Sequence, residues 1–320
     1  MKVVRTVGEL SRNPNSIVTV GTFDGVHLAH QEILREVVRR AGQRRGRSVV
    51  ITFDPHPKEV VTSPRGNVLL LTTLEERLSR MDELGIDLVY VIRFTVEFSR
   101  LTAREFLEHH VQGSVGVAEV VIGYDHMFGR DRLAGKDELE AMGRELGFAV
   151  DAIAPLLVDG DPVSSTRIRK SLGAGDVERA SRFLGRPYKL AGTVMAGDGR
   201  GRKLGFPTAN LVPLEGRKVV PRRGVYLVGV TAGGQKRFGM MNIGVRPTVV
   251  ARGAETLEVH ILGFDGDLYG TSLEVAFLRR LRDERRFGSE AELERQQRED
   301  ESRARDIIES MTTEHTSQAW

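Results

Sequence analysis

Short apolar runs alternate with amphipathic stretches through the first half of the chain. The runs are continuous, as in IVTV at 17–20 and SVVITF at 48–53, whereas the stretches between them repeat apolar positions every three to four residues. This pattern predicts strands at 17–20, 48–53, 87–94, 118–123 and 149–153, and helices at 28–40, 74–84, 103–111 and 136–146. Continuous apolar strands that alternate with helices indicate a parallel sheet covered on both faces. Such sheets bind ligands at the carboxyl ends of their strands.

From about residue 187 the pattern changes to short strands that follow one another through Gly and Pro turns. The predicted strands are 189–195, 224–231, 237–243, 256–262 and 272–281. They indicate a small antiparallel barrel or sandwich, and a long polar helix at 289–309 follows them. The helical stretch 166–184 lies between the two halves. We therefore predict two domains, 1–186 with its linker helices and 187–320.

Composition narrows the class of protein. The 320 residues include no cysteine, 40% apolar and 28% charged residues, and 47 basic against 44 acidic side chains. The absence of cysteine excludes disulfides and cysteine nucleophiles, and no apolar run has the length to span a bilayer. The balanced charge is unlike the basic excess of nucleic-acid-binding proteins. We expect a cytoplasmic protein that has no nucleic-acid or membrane partner and is a monomer or a weak homo-oligomer.

The junction between the first strand and the first helix carries candidate chemistry. It reads GTFDGVHLAH at 21–30, and its two glycines permit a tight turn. His27 and His30 are three residues apart and share a face of the first helical turn, where free N–H groups already favour anions. The two imidazoles could bind a phosphate, and a plain pair of polar residues at a helix start is an equally good interpretation. SSTRIR at 164–169 opens another helix with hydroxyls and arginines, which suit a phosphate or a simple N-cap.

Together these two segments resemble the nucleotidylyltransferase superfamily. With VGTFDGVH at 20–27, FDPHP at 53–57, the glycine-flanked stretch 123–129 and SSTRIR, the first half is similar to bacterial bifunctional riboflavin kinase/FMN adenylyltransferases. The resemblance implies a Rossmann-like α/β fold in which the phosphate of FMN attacks the α-phosphate of ATP and pyrophosphate leaves. It also implies catalytic roles for His27 and His30. ATP would be bound by Gly21, Phe23, Asp24, Ser165, Thr166 and Arg169, and flavin by Asp125 and Phe128.

The second half carries a segment at 197–210 that is rich in glycine and basic residues. Consecutive N–H groups in such a turn can bind an anion, but the spacing does not match a Walker A loop. A glycine-rich hairpin is the simpler interpretation of the glycines alone. Thr208 and Asn210 offer oxygen atoms two residues apart, which an extended segment points the same way and which suit Mg²⁺. Glu258 lies on the polar side of a predicted strand, either in a solvated outer face or as a general base.

A series of motifs here resembles riboflavin kinase over nearly the whole second half. They are LGRPY (184–188), GRKLGFPTAN (201–210), PRRGVY (221–226), NIGVRPT (242–248), LEVH (257–260), FDGDLYG (264–270) and LRDERRFGS (281–289). The resemblance implies a six-stranded antiparallel β-barrel in which Glu258 deprotonates the ribityl hydroxyl of riboflavin. Thr208 and Asn210 would bind Mg²⁺ and ATP. ATP would also be bound by Gly197, Gly201 and Lys203, and flavin by Arg282, Glu284 and Phe287.

The two resemblances imply one enzyme that phosphorylates riboflavin to FMN in its second domain and adenylylates FMN to FAD in its first. ATP would be the co-substrate and Mg²⁺ the metal cofactor. Two departures from the family pattern lie in the first domain: Ala29 replaces a glycine between the histidines, and His126-Met127 replaces an aromatic and a basic residue. They favour one alternative, a riboflavin kinase whose first domain is a nucleotide-binding regulatory module.

Overall fold

A computed structural model describes residues 1–61, 68–124, 135–196, 206–245 and 255–313; for residues 312 and 313 it describes the backbone alone. The chain divides into two compact units, Met1–Ser165 and Thr166–Trp320. Each unit is described by itself. In the described parts of the chain, none of the helices combines the length and the apolar composition that crossing a bilayer requires.

The first unit is built on a six-stranded parallel sheet in the order β1-β4-β3-β2-β5-β6. The strands are β1 Lys2–Val4, β2 Ser16–Val20, β3 Arg47–Asp54, β4 Leu88–Arg93, β5 Glu119–Gly123 and β6 Ala149–Ile153. The helices are α1 Leu28–Gln43, α2 Pro57–Val61, α3 Leu74–Glu83, α4 Ala103–Phe106 with a π-helical continuation Leu107–Val115, and α5 Lys136–Leu146. Short 3-10 turns lie at Val7–Glu9 and Phe98–Arg100, and a two-stranded ribbon pairs β7 Leu157–Val158 with β8 Asp161–Pro162.

Two apolar layers cover this sheet. One face, with Val18, Val49 and Val120, packs under the helices at 103–115 and α5. The opposite face, with Ile17 and Val50, packs under α1 and α3. Because side chains of a strand alternate between faces, a strand buried on both sides must be apolar throughout, which explains the continuous runs in the sequence.

The second unit contains a closed barrel whose strand order is β10-β13-β12-β11-β14-β9, with every pairing antiparallel. Its elements are α6 Ser165–Ala174, which begins one residue before the unit does, α7 Val177–Leu184, β9 Tyr188–Met195, β10 Ala209–Pro213, β11 Gly224–Ala232, β12 Gln235–Val245, β13 Glu255–Ile261, β14 Ser272–Arg282 and α8 Glu290–Thr313. The prediction of a six-stranded antiparallel barrel with a C-terminal helix is confirmed. Closure leaves the barrel without a free sheet edge.

The two-residue period of the strands separates the two faces of the barrel. On β13, Leu257, Val259 and Ile261 are buried, whereas Glu258 and His260 are only half-buried. On β11 and β14, residues of the outer face are also buried, because α8 covers part of that face. Ala304 and the partly buried Ile307, Ile308 and Met311 of α8 pack there against an apolar cluster that includes Val225, Leu227, Met240, Leu278 and Leu281.

The helices α6 and α7 group with the barrel, although we assigned them to the first domain as linkers. α7 contacts β14 and β9, and the backbone N–H of Arg222 donates to the carbonyl oxygen of Leu172 in α6. The compact units therefore divide earlier in the chain than residue 186. Our boundary at residue 186, as the division between the two functional domains, stays a prediction.

Candidate functional site

The β2–α1 junction brings the two predicted histidines into direct contact. His27 is the N-cap of α1, and its Nδ1 accepts a hydrogen bond from the backbone N–H of His30 at 3.3 Å. The two imidazole rings stack at a centroid distance of 3.6 Å, and the ring of Phe23 packs edge-on against His30. The pair therefore lies at the free N–H groups of a helix, where an anion is favoured.

The turn before α1 has a strained backbone. Phe23 and Val26 are buried and adopt positive φ angles of 50° and 38°, and Gly25 has a φ of 88°. A side chain at Gly21 would lie 3.2 Å from the ring of Phe23. Residues other than glycine occupy this region of φ only when the surroundings hold them there, and such positions concentrate at functional sites.

The carboxylate of Asp24 points into the protein. It is 2% exposed and accepts hydrogen bonds from the backbone N–H groups of Leu71 and Thr72, at 3.0 and 2.9 Å, and from the hydroxyl of Thr72. The hydroxyl of Ser165 donates to the backbone carbonyl of Asp24 at 2.8 Å. The contacts of Asp24 thus hold the turn in place and join it to the start of SSTRIR.

Arg77 is a buried cation that the sequence analysis missed. Its guanidinium, on α3, is 4% exposed and donates to the carbonyl oxygen of Thr22 at 2.7 Å and to the hydroxyl of Thr52 at 3.2 Å. Burial lowers the pKa of this arginine. Its sequence signal is an arginine three residues after Leu74 and four before Met81, which places it on the apolar face of an amphipathic helix.

The other predicted residues of the first site fall in two groups. Thr166 and Arg169 lie in the first turns of α6 and belong to the second unit, so their approach to the histidines stays a prediction. Asp125 and Phe128 lie outside the described residues, as do His126 and Met127.

On the barrel, strand register aligns the polar residues of the second predicted site. Asn210 on β10 is directly opposite Glu258 on β13, and Glu258 is directly opposite Asn242 on β12. Directly opposed residues share a face and place their Cβ atoms about 4.5–5.5 Å apart. Glu258 therefore lies between two asparagines in one row on the outer face. Asn242 was not among our predicted site residues, although the NIGVRPT motif contains it.

Thr208 lies beside this row and at the rim of a cleft. The cleft has a cavity volume of about 50 Å³ and opens to solvent. Apolar side chains of three strands line it together with the 264–269 loop; among them are Val194, Val259, Ile261, Phe264 and Tyr269. The side chain of His260, next on the outer face of β13, contacts the carbonyl oxygen of Pro207 at 2.9 Å. Gly197, Gly201 and Lys203 lie outside the described residues.

The three residues that we predicted to bind flavin in the second unit lie at the end of β14 or shortly after it. Arg282 donates from Nε to both carboxylate oxygens of Asp300 on α8, at 3.0 and 2.9 Å, and its guanidinium packs against the ring of Phe287. Glu284 accepts a hydrogen bond from the backbone N–H of Val245 at 3.2 Å. Arg282 therefore anchors this segment to α8, while Glu284 reaches the same end of β12 as Asn242.

The side chains at the outer row suit a divalent cation. A threonine hydroxyl, an asparagine amide oxygen and a glutamate carboxylate are hard oxygen donors of the kind that Mg²⁺ prefers. Across the described ranges, no group of three or more His, Asp or Glu side chains has the geometry of a metal site. A metal bound here would thus depend on Thr208, Asn210 and the phosphates of a nucleotide.

Comparison with known proteins covers both units. The FAD synthetase family matches residues 9–167, and the riboflavin kinase family matches residues 184–308. A bifunctional riboflavin kinase/FMN adenylyltransferase from Pseudomonas fluorescens is 41% identical over 290 residues, which is 90% of this chain and 92% of that protein. A protein of the same name from Escherichia coli K12 is 37% identical over 96% of this chain and 98% of its own length.

A solved structure has the same fold over nearly the whole chain. A crystal structure from Streptococcus pneumoniae, named as a macrolide-efflux protein, has a TM-score of 0.86 and is 32% identical over 95% of this chain and 98% of its own. The fold, both family matches and the curated relatives agree over both units. The chain therefore belongs to the family of bifunctional riboflavin kinase/FMN adenylyltransferases.

Proposed function

We infer that this chain phosphorylates riboflavin to FMN and adenylylates FMN to FAD, with ATP as the co-substrate of both steps. The observation that carries the kinase assignment is the direct register of Asn210, Glu258 and Asn242 on the outer face of the barrel. A carboxylate between two amides, beside a cleft rimmed by Thr208, can accept a proton next to a bound triphosphate.

In the kinase step, Glu258 takes the proton of the 5′-hydroxyl of riboflavin as that oxygen attacks the γ-phosphorus of ATP. The bond between the γ-phosphorus and the bridging oxygen breaks, and ADP leaves. Thr208 and Asn210 hold Mg²⁺, which neutralises charge on the phosphates when it is bound. The cleft next to Thr208 suits the adenine ring at its open rim, where Phe264 and Tyr269 of the 264–269 loop offer apolar surface.

In the adenylyl step, an oxygen of the FMN phosphate attacks the α-phosphorus of ATP and pyrophosphate leaves. His27 and His30 bind the phosphates at the N-terminus of α1 and stabilise the charge that develops there. Gly21, Phe23 and Asp24 shape the turn that presents the histidines, and Ser165, Thr166 and Arg169 bind the same triphosphate. Because the attack is direct, the enzyme forms no covalent intermediate and works by positioning and charge neutralisation.

Flavin is bound at two places in this scheme. Asp125 and Phe128 contact FMN in the first domain, and Glu284 and Phe287 contact riboflavin in the second, with Arg282 supporting their segment. Gly197, Gly201 and Lys203 cover the ATP of the kinase. We further propose that the enzyme acts in the cytoplasm as a monomer or weak homo-oligomer. A kinase with a purely regulatory first domain is not favoured, because the FAD synthetase family matches that domain.

The test is a chromatographic product assay with Mg²⁺ and ATP. One tube contains riboflavin and the other contains FMN, and FAD is expected in both. FMN from the first tube without FAD from either would leave only the kinase and would turn attention to Ala29, His126 and Met127. No conversion of either flavin would refute the enzyme assignment.

Variants assign the two sites within the same chain. Glu258→Gln and Asn210→Ala are expected to lose FMN formation and to keep FMN-to-FAD conversion. For Glu258→Gln, the loss of a general base should lower the rate of FMN formation by about a hundredfold or more. His27→Ala is expected to do the converse. Each variant is the control for the other, because a general folding defect would lower both activities together.

A further inference from the structure

We propose that His260 is a positioning residue of the kinase site, one that fixes Thr208 for the binding of metal-bound ATP. The proposal rests on the proposed kinase function. His260 was not among the predicted site residues, although the LEVH motif contains it. Its side chain shares the outer face of β13 with Glu258 but contacts a different segment.

The contact of His260 defines which ring nitrogen carries the proton. Nδ1 lies 2.9 Å from the backbone carbonyl oxygen of Pro207. A carbonyl oxygen can only accept a hydrogen bond, so Nδ1 is the donor. The ring of Phe206, which is 7% exposed, packs edge-on against the imidazole at a centroid distance of 5.3 Å. A hydrogen bond and a buried aromatic contact therefore fix the imidazole against the segment that leads into β10.

This segment needs support that the sheet itself does not supply. The ladder between β10 and β13 consists of the pairs Ala209 with Val259 and Asn210 with Glu258. Pro207, two residues before Ala209, has no N–H to donate, so it cannot extend the ladder as a donor. The imidazole of His260 instead donates to the carbonyl of Pro207. The side chain thus does what a further backbone hydrogen bond would do.

The consequence falls on metal and nucleotide binding rather than on proton transfer. Thr208 directly follows the residue that His260 holds, and Asn210 is two residues further on. Thr208 supplies one of the oxygen atoms that would bind Mg²⁺ with ATP, whereas Asn210 and Glu258 are each fixed by strand pairings on both sides. Release of Pro207 would therefore loosen Thr208 and leave Asn210 and the base in place.

The test compares three substitutions. His260→Leu removes the donor and keeps an apolar side chain, and His260→Asn keeps a donor because its amide nitrogen takes the place of Nδ1. His260→Gln places its amide nitrogen one bond further out. For His260→Leu, we expect the KM for ATP and the half-saturating Mg²⁺ concentration to rise about five- to tenfold, the effect of one lost hydrogen bond. Its kcat and its KM for riboflavin should stay within about twofold of wild type. In His260→Asn, the KM for ATP and the half-saturating Mg²⁺ concentration should return most of the way to the wild-type values. In His260→Gln, they should return less far.

The controls separate this role from a folding defect. Glu274→Gln changes an ion pair with Lys189 on the outer barrel face and should leave all four constants unchanged. Conversion of FMN to FAD should be the same in every variant. A lower kcat with an unchanged KM for ATP would refute the proposal, and so would equal behaviour of the Asn and Gln variants. If His260→Leu does not fold, the Asn and Gln pair decides. Absence of FMN formation by the wild-type chain would instead refute the proposed function.

Discussion

The ion pair between Arg282 and Asp300 offers a quantitative test of how the end of β14 is held. Asp300 is 5% exposed and receives three contacts from Arg282, two from Nε and one from Nη2 at 2.8 Å. The amide of Gln296 also donates to it at 2.9 Å. The substitution Asp300→Asn keeps the shape of the side chain and removes its charge.

The expected cost follows from the burial of the arginine that is left behind. Removing one partner of a buried ion pair costs about 3–5 kcal/mol, because the other charge stays desolvated. The side chain of Arg282 is 19% exposed, so water relieves part of this cost and the lower end applies. We expect a loss of about 3 kcal/mol in the free energy of unfolding, which lowers the melting temperature of a unit of this size by roughly 6–12 °C.

The assay is thermal inactivation, followed separately for FMN formation and for FMN-to-FAD conversion. Only the first should shift, because the pair lies in the second unit. Glu294→Gln is the matched control on the same helix, since its partner Arg298 is 71% exposed. Exposed pairs of this spacing contribute about 0.3–0.5 kcal/mol. The double substitution Arg282→Met with Asp300→Leu should recover most of the stability, because no charge remains buried.

Two outcomes would refute this reasoning. One is a shift for Asp300→Asn that is no larger than that of Glu294→Gln. The other is a double variant that is less stable than Asp300→Asn, which would mean that the ions are replaced poorly by apolar packing. The KM for riboflavin measured in the double variant then tells whether Arg282 also contacts the flavin.

Three further predictions concern single positions. A methyl group in Gly244→Ala would meet the Oε1 atom of Glu284 at 2.6 Å, so the carboxylate should leave the N–H of Val245. The KM for riboflavin should rise about fivefold with an unchanged melting temperature, and an unchanged KM would remove Glu284 from the flavin site. Burial lowers the pKa of His110 from 6.5, so the first unit should lose stability as pH falls from about 6.5 through the lower folded value. His110→Phe should flatten this dependence in melting curves between about pH 5 and 7, and an unchanged slope would contradict it. In His27→Ala, loss of FAD formation should persist at saturating ATP if the imidazole stabilises the transition state, and recovery there would assign it to binding alone.

Much of the fold could be predicted because the apolar pattern changes its period so clearly. All five predicted strands of the parallel sheet are confirmed within one or two residues. β1 was missed because it has three residues, of which only Val4 is buried. β10 was missed because its sequence, ANLVP, mixes polar and apolar residues and ends in proline. Short or mixed strands are formed by their neighbours rather than by their own pattern.

The sites could be predicted only in part. Alternation placed Glu258 on the polar face of its strand, but its position between Asn210 and Asn242 depends on pairings far apart in sequence. The side chain of Asp24 points inward because the backbone N–H groups of Leu71 and Thr72 donate to it. The local sequence around Asp24 does not predict these distant partners. Long-range partners are therefore what the sequence could not supply.

The location of the polar row on the outer face of the barrel makes enzyme activity a report on folding. A shift of one residue in the pairing of β13 would turn Glu258 into the apolar interior and expose Leu257 and Val259 to water. With Glu258 as the proposed base, molecules with that pairing would be inactive as kinases, and their exposed apolar residues would make them prone to aggregate. The specific kinase activity of a soluble preparation should therefore fall as the fraction of barrels in the native register falls.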